Sequence, residues 1–177
     1  MNPMFDMTGR VALVTGATRG IGRCIVEQYV QHGARVVVNS RKPADCEAVA
    51  EAVNRDAGRD AAWPCAFDFS DQAAIEDGAD RAVAHWDRLD TLGGNAYVTA
   101  LGTEGELDPA VFVDVLRINV VNNAILANRA LPALRASGEG VVIFIGSASG
   151  LAPSPAVAAY GISKRALMHM MQNLAVE

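Results

Sequence analysis

The sequence has 177 residues, of which 51% are hydrophobic and 20% are charged, and its formal net charge is −5. This length suffices for one domain with a hydrophobic core, and the composition favours a compact α/β protein over a disordered chain. The negative charge and the lack of a long basic run exclude the usual electrostatic signature of a protein that binds nucleic acid or an anionic membrane.

Cysteine and histidine are few and scattered, with three of each and no Cys-x-x-Cys pair. They predict neither a disulfide framework nor a metal site, and they favour a reducing compartment. Residues 1–9 lack the basic and apolar regions of a signal peptide, and no apolar run is long enough to span a membrane. We therefore expect a cytoplasmic protein with a single domain over residues 1–177.

The first predicted element is a buried strand at residues 11–14, which runs into the glycine-rich turn TGATRGIG at residues 15–22. Gly16 would let the chain leave the strand sharply, Gly20 would let the backbone approach a pyrophosphate, and Gly22 would let helix and strand pack closely. A helix predicted over residues 21–32 would direct its free N–H groups at the phosphates. The turn predicts a dinucleotide-binding βα unit, although glycine-rich βα turns also occur without a ligand.

Five further elements follow before residue 95. The predicted strand at residues 35–39 is apolar without alternation, as in a parallel strand buried on both faces. A helix over residues 44–57 precedes a strand over residues 61–67, in which Pro64 favours an edge position. Ser70 or Asp71 can cap a helix that ends at Trp86, and residues 89–94 form the fourth predicted strand.

The second half begins with a glycine-containing loop at residues 95–107. A long helical region follows at residues 108–136, and Pro132 is expected to end or bend it. The apolar side chains expected on its inward face are Val111, Val115, Ile118, Val121, Ile125 and Leu131. The run VVIFI at residues 141–145 is the clearest candidate for a buried strand, and a closing helix is predicted over residues 157–177.

Strands and helices alternate along the whole chain, which predicts a parallel sheet with right-handed crossovers. Together with the glycine turn, this leads us to expect an α/β fold with a Rossmann-type, doubly wound parallel sheet. Ligands of such sheets bind at the carboxyl ends of the strands, near the point where the strand order reverses. Each of the motifs discussed here lies at the end of a predicted strand or just after it. We therefore expect these motifs to meet in one site.

The residues after the second strand bear on the choice of cofactor. The segment Asn39-Ser40-Arg41-Lys42 has no carboxylate to bind the ribose hydroxyls that distinguish NAD. Arg41 could pair with the 2′-phosphate of NADP, and Arg19 of the glycine turn could bind it from the other side, because guanidinium donors are forked. Arg41 and Lys42 could also be solvated loop charges. The sequence thus favours NADP(H) over NAD(H).

A candidate catalytic group lies near the end of the sequence. Tyr160 and Lys164 are four residues apart and so share one face of a helix, and Ser147 follows the strand VVIFI. Taken alone, such a tyrosine and lysine are commonly surface neighbours. Together with the glycine turn, they resemble the short-chain dehydrogenase/reductase family over residues 5–177. The motifs that carry this resemblance are TGATRGIG, Asn95-Ala96, Asn119, Ser147 and Tyr160-Gly161-Ile162-Ser163-Lys164.

The resemblance implies an NADP-dependent oxidoreductase that interconverts a small carbonyl compound and a secondary alcohol, similar to the carbonyl reductases of the family. Tyr160 would be the acid and base, and Lys164 would favour its phenolate and hold the nicotinamide ribose. Ser147 would orient the carbonyl oxygen, and Asn119 would support a water relay to the lysine. The cofactor-binding residues implied are Gly16, Thr18, Arg19, Gly20, Ile21, Gly22, Ser40, Arg41, Asp68, Asn95, Tyr160 and Lys164.

Two features depart from the family pattern. The family segment NNAG is here Gly94-Asn95-Ala96-Tyr97, and we expect Tyr97 to crowd the loop over the cofactor. The sequence also stops at Glu177, where family members continue with further strands and a substrate-covering loop. We therefore expect a sheet that is incomplete on its C-terminal side, with an uncovered fifth strand.

Two functions stay open from the sequence. The first is the oxidoreductase, and the second is a non-catalytic nucleotide-binding or assembly module that keeps the site residues without hydride transfer. In both cases the two long helices resemble those that pair subunits in the family, which implies a homodimer or homotetramer.

Overall fold

The computed structural model describes residues 3–177, in which strands and helices alternate. The strands are β1 (Val11–Val14), β2 (Arg35–Val38), β3 (Ala62–Pro64), β4 (Thr91–Gly94) and β5 (Val141–Phe144). The helices are α1 (Gly20–Gln31), α2 (Pro43–Ala57), α3 (Gln72–Trp86), α4 (Pro109–Leu116), α5 (Asn122–Ala136) and α6 (Ala158–Leu174). Met1 and Asn2, part of the stretch expected to hold no signal peptide, lie outside the described residues.

The five strands form one parallel sheet in the order β3-β2-β1-β4-β5. This order confirms the predicted Rossmann-type sheet and the edge position of the strand that contains Pro64. The direction of winding reverses between β1 and β4, because β2 and β3 lie on one side of β1, whereas β4 and β5 lie on its other side. The carboxyl ends of β1 and β4 therefore border the crevice where such sheets bind ligands.

Each face of the sheet has its own apolar core. Leu13 of β1 and Leu92 of β4 pack with Ile75 of α3 and Leu126 of α5 on one face. On the other face, Val14 belongs to a second cluster, which includes side chains of α1 and α2. Successive residues of β1 thus point to opposite cores, which explains why the sequence of this strand is apolar without alternation.

β5 is less buried than the sequence predicts. Val141 is 46% exposed and Ile143 is 40% exposed, whereas Val142 and Phe144 pack against the core beneath α3 and α5. The prediction of a buried strand was wrong for one face of β5, because an apolar run does not specify which elements will cover it. The expected incompleteness of the sheet is seen at this strand, which forms an open edge.

The helical region after residue 108 is divided into three parts. The Asp108 carboxylate caps α4 by accepting a hydrogen bond from the Ala110 N–H (2.7 Å), and a π-helical segment, Arg117–Val121, joins α4 to α5. Pro132 lies inside α5 and does not end it. Val115 is buried as predicted, but Val111 and Val121 are exposed. At Val121 the wider π turn shifts the helical phase that a single continuous helix would have.

The same stretch also corrects the expectation that no apolar run could span a membrane. By length and composition alone, Pro109–Ala136 could do so, since an 18-residue window in it has a mean hydropathy of 1.5. Core helices of water-soluble proteins share this property. Here α5 packs against α3 and the sheet, and three asparagines of the stretch are buried: Asn119, Asn122 and Asn123.

A buried carboxylate joins the amino ends of β1 and β4. Asp90 accepts hydrogen bonds from the Val11 N–H (2.9 Å), from Arg88 (2.7 Å) and from Arg10 (3.2 Å). Burial alone would raise the pKa of Asp90, but these hydrogen bonds together hold it below its ordinary value. Arg10 also pairs with Glu139, which precedes β5. This charged cluster lies at the opposite end of the sheet from the glycine turn.

Candidate active site

The glycine turn between β1 and α1 has the close packing that the sequence predicts. Gly16 and Gly20 have positive φ values of 60° and 54°, which favour glycine. A Cβ atom at Gly22 would lie 2.3 Å from the Gly16 carbonyl oxygen, so α1 can approach the turn this closely only with glycine at that position. Arg19, the N-cap of α1, makes no side-chain capping bond, so the first N–H groups of the helix lack a side-chain acceptor.

Asn95, directly after β4, is hydrogen-bonded to the glycine turn. Its Nδ2 atom donates hydrogen bonds to the carbonyl oxygens of Thr15 and Gly16, each at 3.0 Å. In return, the Thr15 hydroxyl oxygen accepts hydrogen bonds from the N–H groups of Asn95 and Ala96 at 3.0 Å. Sequence reasoning did not single out Thr15. A hydroxyl at the end of a buried strand was the available signal, because a buried polar group requires a partner.

The predicted adenosine side of the site lies at the ends of β2 and β3. The Thr18 hydroxyl donates to the Ser40 hydroxyl at 3.3 Å, which joins the glycine turn to the residue after β2. Arg19, Ile21 and Arg41 are exposed residues of the two segments that this contact joins. These residues therefore belong to one region, at the carboxyl ends of β1 and β2.

Asp68, after β3, borders the same region. Its Oδ1 atom accepts hydrogen bonds from the N–H and hydroxyl groups of Ser70, both at 2.8 Å. These bonds, and to a smaller extent the positive charge of Arg41, hold the pKa of the Asp68 carboxyl below its ordinary value. Arg41 is therefore close enough to Asp68 to act on it electrostatically.

Sequence reasoning treated Asn39 only as part of a charged segment, but its amide is a structural link. Nδ2 donates to the carbonyl oxygens of Cys65 (3.1 Å) and Phe67 (3.2 Å), and the Asn39 carbonyl accepts a hydrogen bond from the Ala17 N–H (2.8 Å). Through its side-chain amide and its backbone carbonyl, Asn39 thus links the chain segments that follow β1, β2 and β3.

Lys164 is the most unusual residue of the site, because its side chain is 1% exposed. Its Nζ atom donates a hydrogen bond to the Ile145 carbonyl oxygen at 2.6 Å and lies 5.6 Å from the centroid of the Tyr160 ring. Burial lowers the pKa of Lys164 to about 8. At neutral pH an ammonium therefore lies beside the phenol ring, as the predicted pairing of these residues requires.

Ser147 is positioned by a 3-10 turn, Ala148–Gly150, that packs on α6. The Ser147 Oγ atom accepts a hydrogen bond from the Ser149 N–H at 3.2 Å and so caps this turn. A Cβ atom at Gly161 of α6 would lie 2.8 Å from the Ser149 carbonyl oxygen, so the turn rests directly on the helix. The structure thereby brings Ser147 to the part of α6 that carries Tyr160 and Lys164.

Asn119 acts here as a positioning residue. From the π-helical segment, its side chain accepts a hydrogen bond from the Val98 N–H and donates to the Val98 carbonyl, both at 2.8 Å. It also donates to the Ser163 hydroxyl (3.0 Å), which donates in turn to the Tyr160 carbonyl (2.7 Å). Asn119 thus braces the loop after β4 and the first turn of α6. Its role in a water relay stays a prediction.

Tyr97, the departure from the family pattern, lies beside the candidate catalytic residues Tyr160 and Lys164. Its ring centroid is 5.6 Å from that of Tyr160 and 5.2 Å from the Lys164 Nζ atom, while 53% of the residue is exposed. A cavity of about 650 Å³ opens nearby, lined among others by Thr103, Ser149, Leu151, Pro153, Ile162 and Arg165. Because Ser147, Tyr160 and Lys164 do not line this cavity, we place the candidate site at the side chains and not in the cavity.

These residues fit a dinucleotide. A Cβ atom at Gly20 would meet nothing within 4 Å, so the space in front of the α1 N-terminus is open. The Lys164 ammonium has three donors and one hydrogen-bonded acceptor among the described residues. Across residues 3–177, no group of three or more His, Cys, Asp or Glu side chains is placed to hold a metal ion.

Comparison with known proteins agrees with this geometry. Residues 10–177 match the family model described as short chain dehydrogenase. The chain is 32% identical to an uncharacterized oxidoreductase, YciK, of Escherichia coli K12, over 97% of this chain and 69% of that protein. It is 34% identical to cis-1,2-dihydrobenzene-1,2-diol dehydrogenase of Pseudomonas putida, over 97% of this chain and 62% of that enzyme.

Solved structures have the same fold. A 3-oxoacyl (acyl-carrier-protein) reductase from Agrobacterium tumefaciens C58, with NADP bound, aligns with a TM-score of 0.90 and 34% sequence identity. The alignment covers 97% of this chain and 65% of the reductase. The present chain thus spans roughly two thirds of the length of these relatives.

Proposed function

The chain belongs to the short-chain dehydrogenase family, and we propose that it is an NADP(H)-dependent oxidoreductase that interconverts a carbonyl compound and a secondary alcohol. One observation carries the proposal. The buried ammonium of Lys164 lies 5.6 Å from the centre of the Tyr160 ring, at the end of β5. Because the strands are parallel, the carboxyl end of β5 lies at the same end of the sheet as the glycine turn after β1.

The residues that would hold the cofactor lie at this carboxyl end of the sheet. The glycine turn and the N-terminus of α1 would bind the pyrophosphate, because free N–H groups and the helix dipole favour an anion. Lys164 would hold the hydroxyls of the nicotinamide ribose with the donors that Ile145 leaves free. When bound, the cofactor supplies or accepts the hydride.

The chemistry of the chain's own side chains is proton transfer and positioning. In the direction of reduction, Ser147 would donate a hydrogen bond to the carbonyl oxygen and orient it. Tyr160 would donate its phenolic proton to the same oxygen as negative charge develops there. Lys164, an ammonium below about pH 8, would stabilise the phenolate that is left. In the direction of oxidation, the phenolate would accept the proton of the alcohol.

Replacing Tyr160 tests the proposal. We expect Tyr160→Phe to lower the rate of NADPH oxidation with ketones and diketones by about 10²- to 10⁴-fold, because the general acid is lost. Cofactor affinity, measured by NADPH fluorescence, should change little. Retained turnover in this variant would contradict the role of Tyr160. Cofactor binding by the wild type without any turnover would instead support a non-catalytic nucleotide-binding module.

The preference for NADP(H) rests on the residues after β2. Ser40 contacts the glycine turn through Thr18, and the exposed Arg41 follows it without a carboxylate nearby in that segment. The Agrobacterium tumefaciens relative, whose structure holds NADP, is consistent with this choice.

We expect Arg41→Ala to weaken NADPH binding by roughly 10- to 100-fold, because a charged hydrogen bond to the 2′-phosphate is lost. NADH binding should be nearly unchanged. Lys42→Ala, which removes the neighbouring exposed charge, is the matched control and should affect NADPH much less. Tighter binding of NADH than of NADPH by the wild type would contradict the preference.

Three broader features belong to the same proposal. We place residues 1–177 in a single NAD(P)-binding domain, because one continuous sheet carries both cores. A cytoplasmic location is supported by free cysteines, of which Cys46 and Cys65 are buried. A homodimer or homotetramer is supported by apolar side chains exposed on the helices after residue 108, and the substrate would be a small molecule.

A further inference from the structure

The Lys164 ammonium lies over the ring of Tyr97. Lys164 is almost completely buried, and two aromatic rings lie within 6 Å of its Nζ atom, those of Tyr97 and Tyr160. Tyr97 is the more exposed of the two residues, so its ring has one side toward the ammonium and another toward solvent. An electron-rich ring at 5.2 Å stabilises the ammonium and also occupies the space in front of it.

The backbone on both sides of Tyr97 is held in place. The preceding N–H group, of Ala96, donates to the Thr15 hydroxyl oxygen at 3.0 Å. On the other side, both backbone polar groups of Val98 are bonded to the Asn119 side chain at 2.8 Å. The loop therefore cannot easily move away from Lys164. The Tyr97 side chain can, because rotation about χ1 takes an exposed ring between staggered positions.

We propose that Tyr97 is a side-chain gate, whose ring covers the Lys164 ammonium and rotates away when the nicotinamide half of the cofactor binds. This inference rests on the proposed function, in which the same ammonium holds the nicotinamide ribose. The adenosine half does not require the movement, because the glycine turn, Ser40 and Arg41 bind it at the ends of β1 and β2. The gate therefore opposes binding of the whole dinucleotide but not of its adenosine half.

Two ligands distinguish these halves: NADPH, and adenosine 2′,5′-bisphosphate, which lacks the nicotinamide ribose. We expect Tyr97→Ala to increase NADPH affinity by roughly tenfold, equivalent to about 1.4 kcal/mol, because the ring no longer has to leave the ammonium. Affinity for the bisphosphate should stay within about twofold. Both constants can be measured by calorimetry, independently of turnover.

Tyr97→Phe is the matched control, since it keeps the aromatic ring and should bind NADPH like the wild type. A tenfold gain in the phenylalanine variant, or an equal gain for both ligands in the alanine variant, would overturn the gate. Unchanged or weaker NADPH binding by Tyr97→Ala, with wild-type binding intact, would also overturn it and would leave the proposed function standing. Failure of every variant to bind NADPH, NADH and the bisphosphate would contradict the proposed function itself, and the gate with it.

Discussion

At the scale of single residues, Lys164 has the most consequential surroundings. Its ammonium is enclosed by the Ile145 carbonyl oxygen and two tyrosine rings. These groups stabilise the positive charge less than water does. Burial therefore brings its pKa from the ordinary 10.5 to about 8. The folded state carries this cost whenever the side chain is charged.

This cost predicts a pH dependence of stability. Between pH 8 and 10.5 the folded protein has released the Lys164 proton while the unfolded chain still binds it, so the free energy of unfolding rises with pH in this window. The rise due to Lys164 is about 3 kcal/mol. Urea unfolding of the wild type and of Lys164→Met at several pH values measures it. The difference between the two proteins should favour the wild type increasingly as the pH rises; parallel pH profiles would contradict the prediction.

The candidate site residues could be predicted from the sequence, but the residues that position them by hydrogen bonds could not. Ser147, Tyr160 and Lys164 belong to a motif with fixed spacing, which a resemblance can transfer directly. Thr15 is bonded to Asn95, which lies 80 residues away in the sequence. Such a partnership is created by the packing of β1 beside β4, and no local pattern in the sequence encodes it.

At the scale of elements, the turn between β1 and α1 depends on one close contact. A Cβ atom at Gly22 would lie 2.3 Å from the Gly16 carbonyl oxygen and 2.5 Å from the Asn95 Nδ2 atom. Neither atom can move freely, since they are hydrogen-bonded to each other. Any side chain at Gly22 must therefore displace the turn or break its link to β4.

We expect Gly22→Ala to lower the free energy of unfolding by about 1–3 kcal/mol, as overpacking does elsewhere. NADPH affinity should fall with it, because the turn no longer has the shape that receives the pyrophosphate. Gly105→Ala is the control: a Cβ atom there would meet nothing within 4 Å, and the change should be within about 0.5 kcal/mol. Denaturant titrations and NADPH fluorescence measure both effects, and equal behaviour of the two variants would refute this account of the turn.

Element types were more predictable than element environments. The strands β1, β2 and β4 followed from apolar runs, and the N-cap of α3 followed from Asp71, whose carboxylate accepts hydrogen bonds from the first turn of that helix. The uncovered face of β5 did not follow, because burial depends on neighbours that lie elsewhere in the chain. The π-helical segment could not be predicted either, because an extra residue in one helical turn does not change the amino-acid composition of the helix.

At the scale of the whole molecule, the exposed apolar residues predict self-association. Val113 of α4 is 60% exposed and Val121 of the π-helical segment is 51% exposed, although both lie in a strongly apolar stretch. Burial of such side chains between subunits would remove this surface from water. This observation supports the proposed homodimer or homotetramer.

We expect the wild type to sediment as a dimer or tetramer and Val113→Asp to sediment as a smaller species, because a buried unpaired charge opposes association. Leu101→Asp is the control, since Leu101 is exposed in the loop after β4, outside both long helices, and its replacement should leave the sedimentation coefficient unchanged. A wild type that sediments as a monomer would contradict this assembly.

The architecture of the whole sheet was accessible from the sequence because strands and helices alternate without interruption. The reversal of winding between β1 and β4 does not follow from alternation alone, because the same alternation also fits a closed barrel. The environment of Tyr97 was only partly predictable. A bulky residue in place of glycine predicted crowding of the loop, but it did not predict contact with the Lys164 ammonium.

The two ends of the sheet are secured by different functional groups. The amino ends of β1 and β4 depend on the Asp90 carboxylate, whereas amides of Asn39 and Asn95 secure the carboxyl ends. The contribution of Asp90 is present above its ordinary pKa and is lost as the pH falls through the lower folded value, while amides keep their hydrogen bonds in acid. The acid-sensitive link at Asp90 therefore lies at the end of the sheet opposite the candidate site.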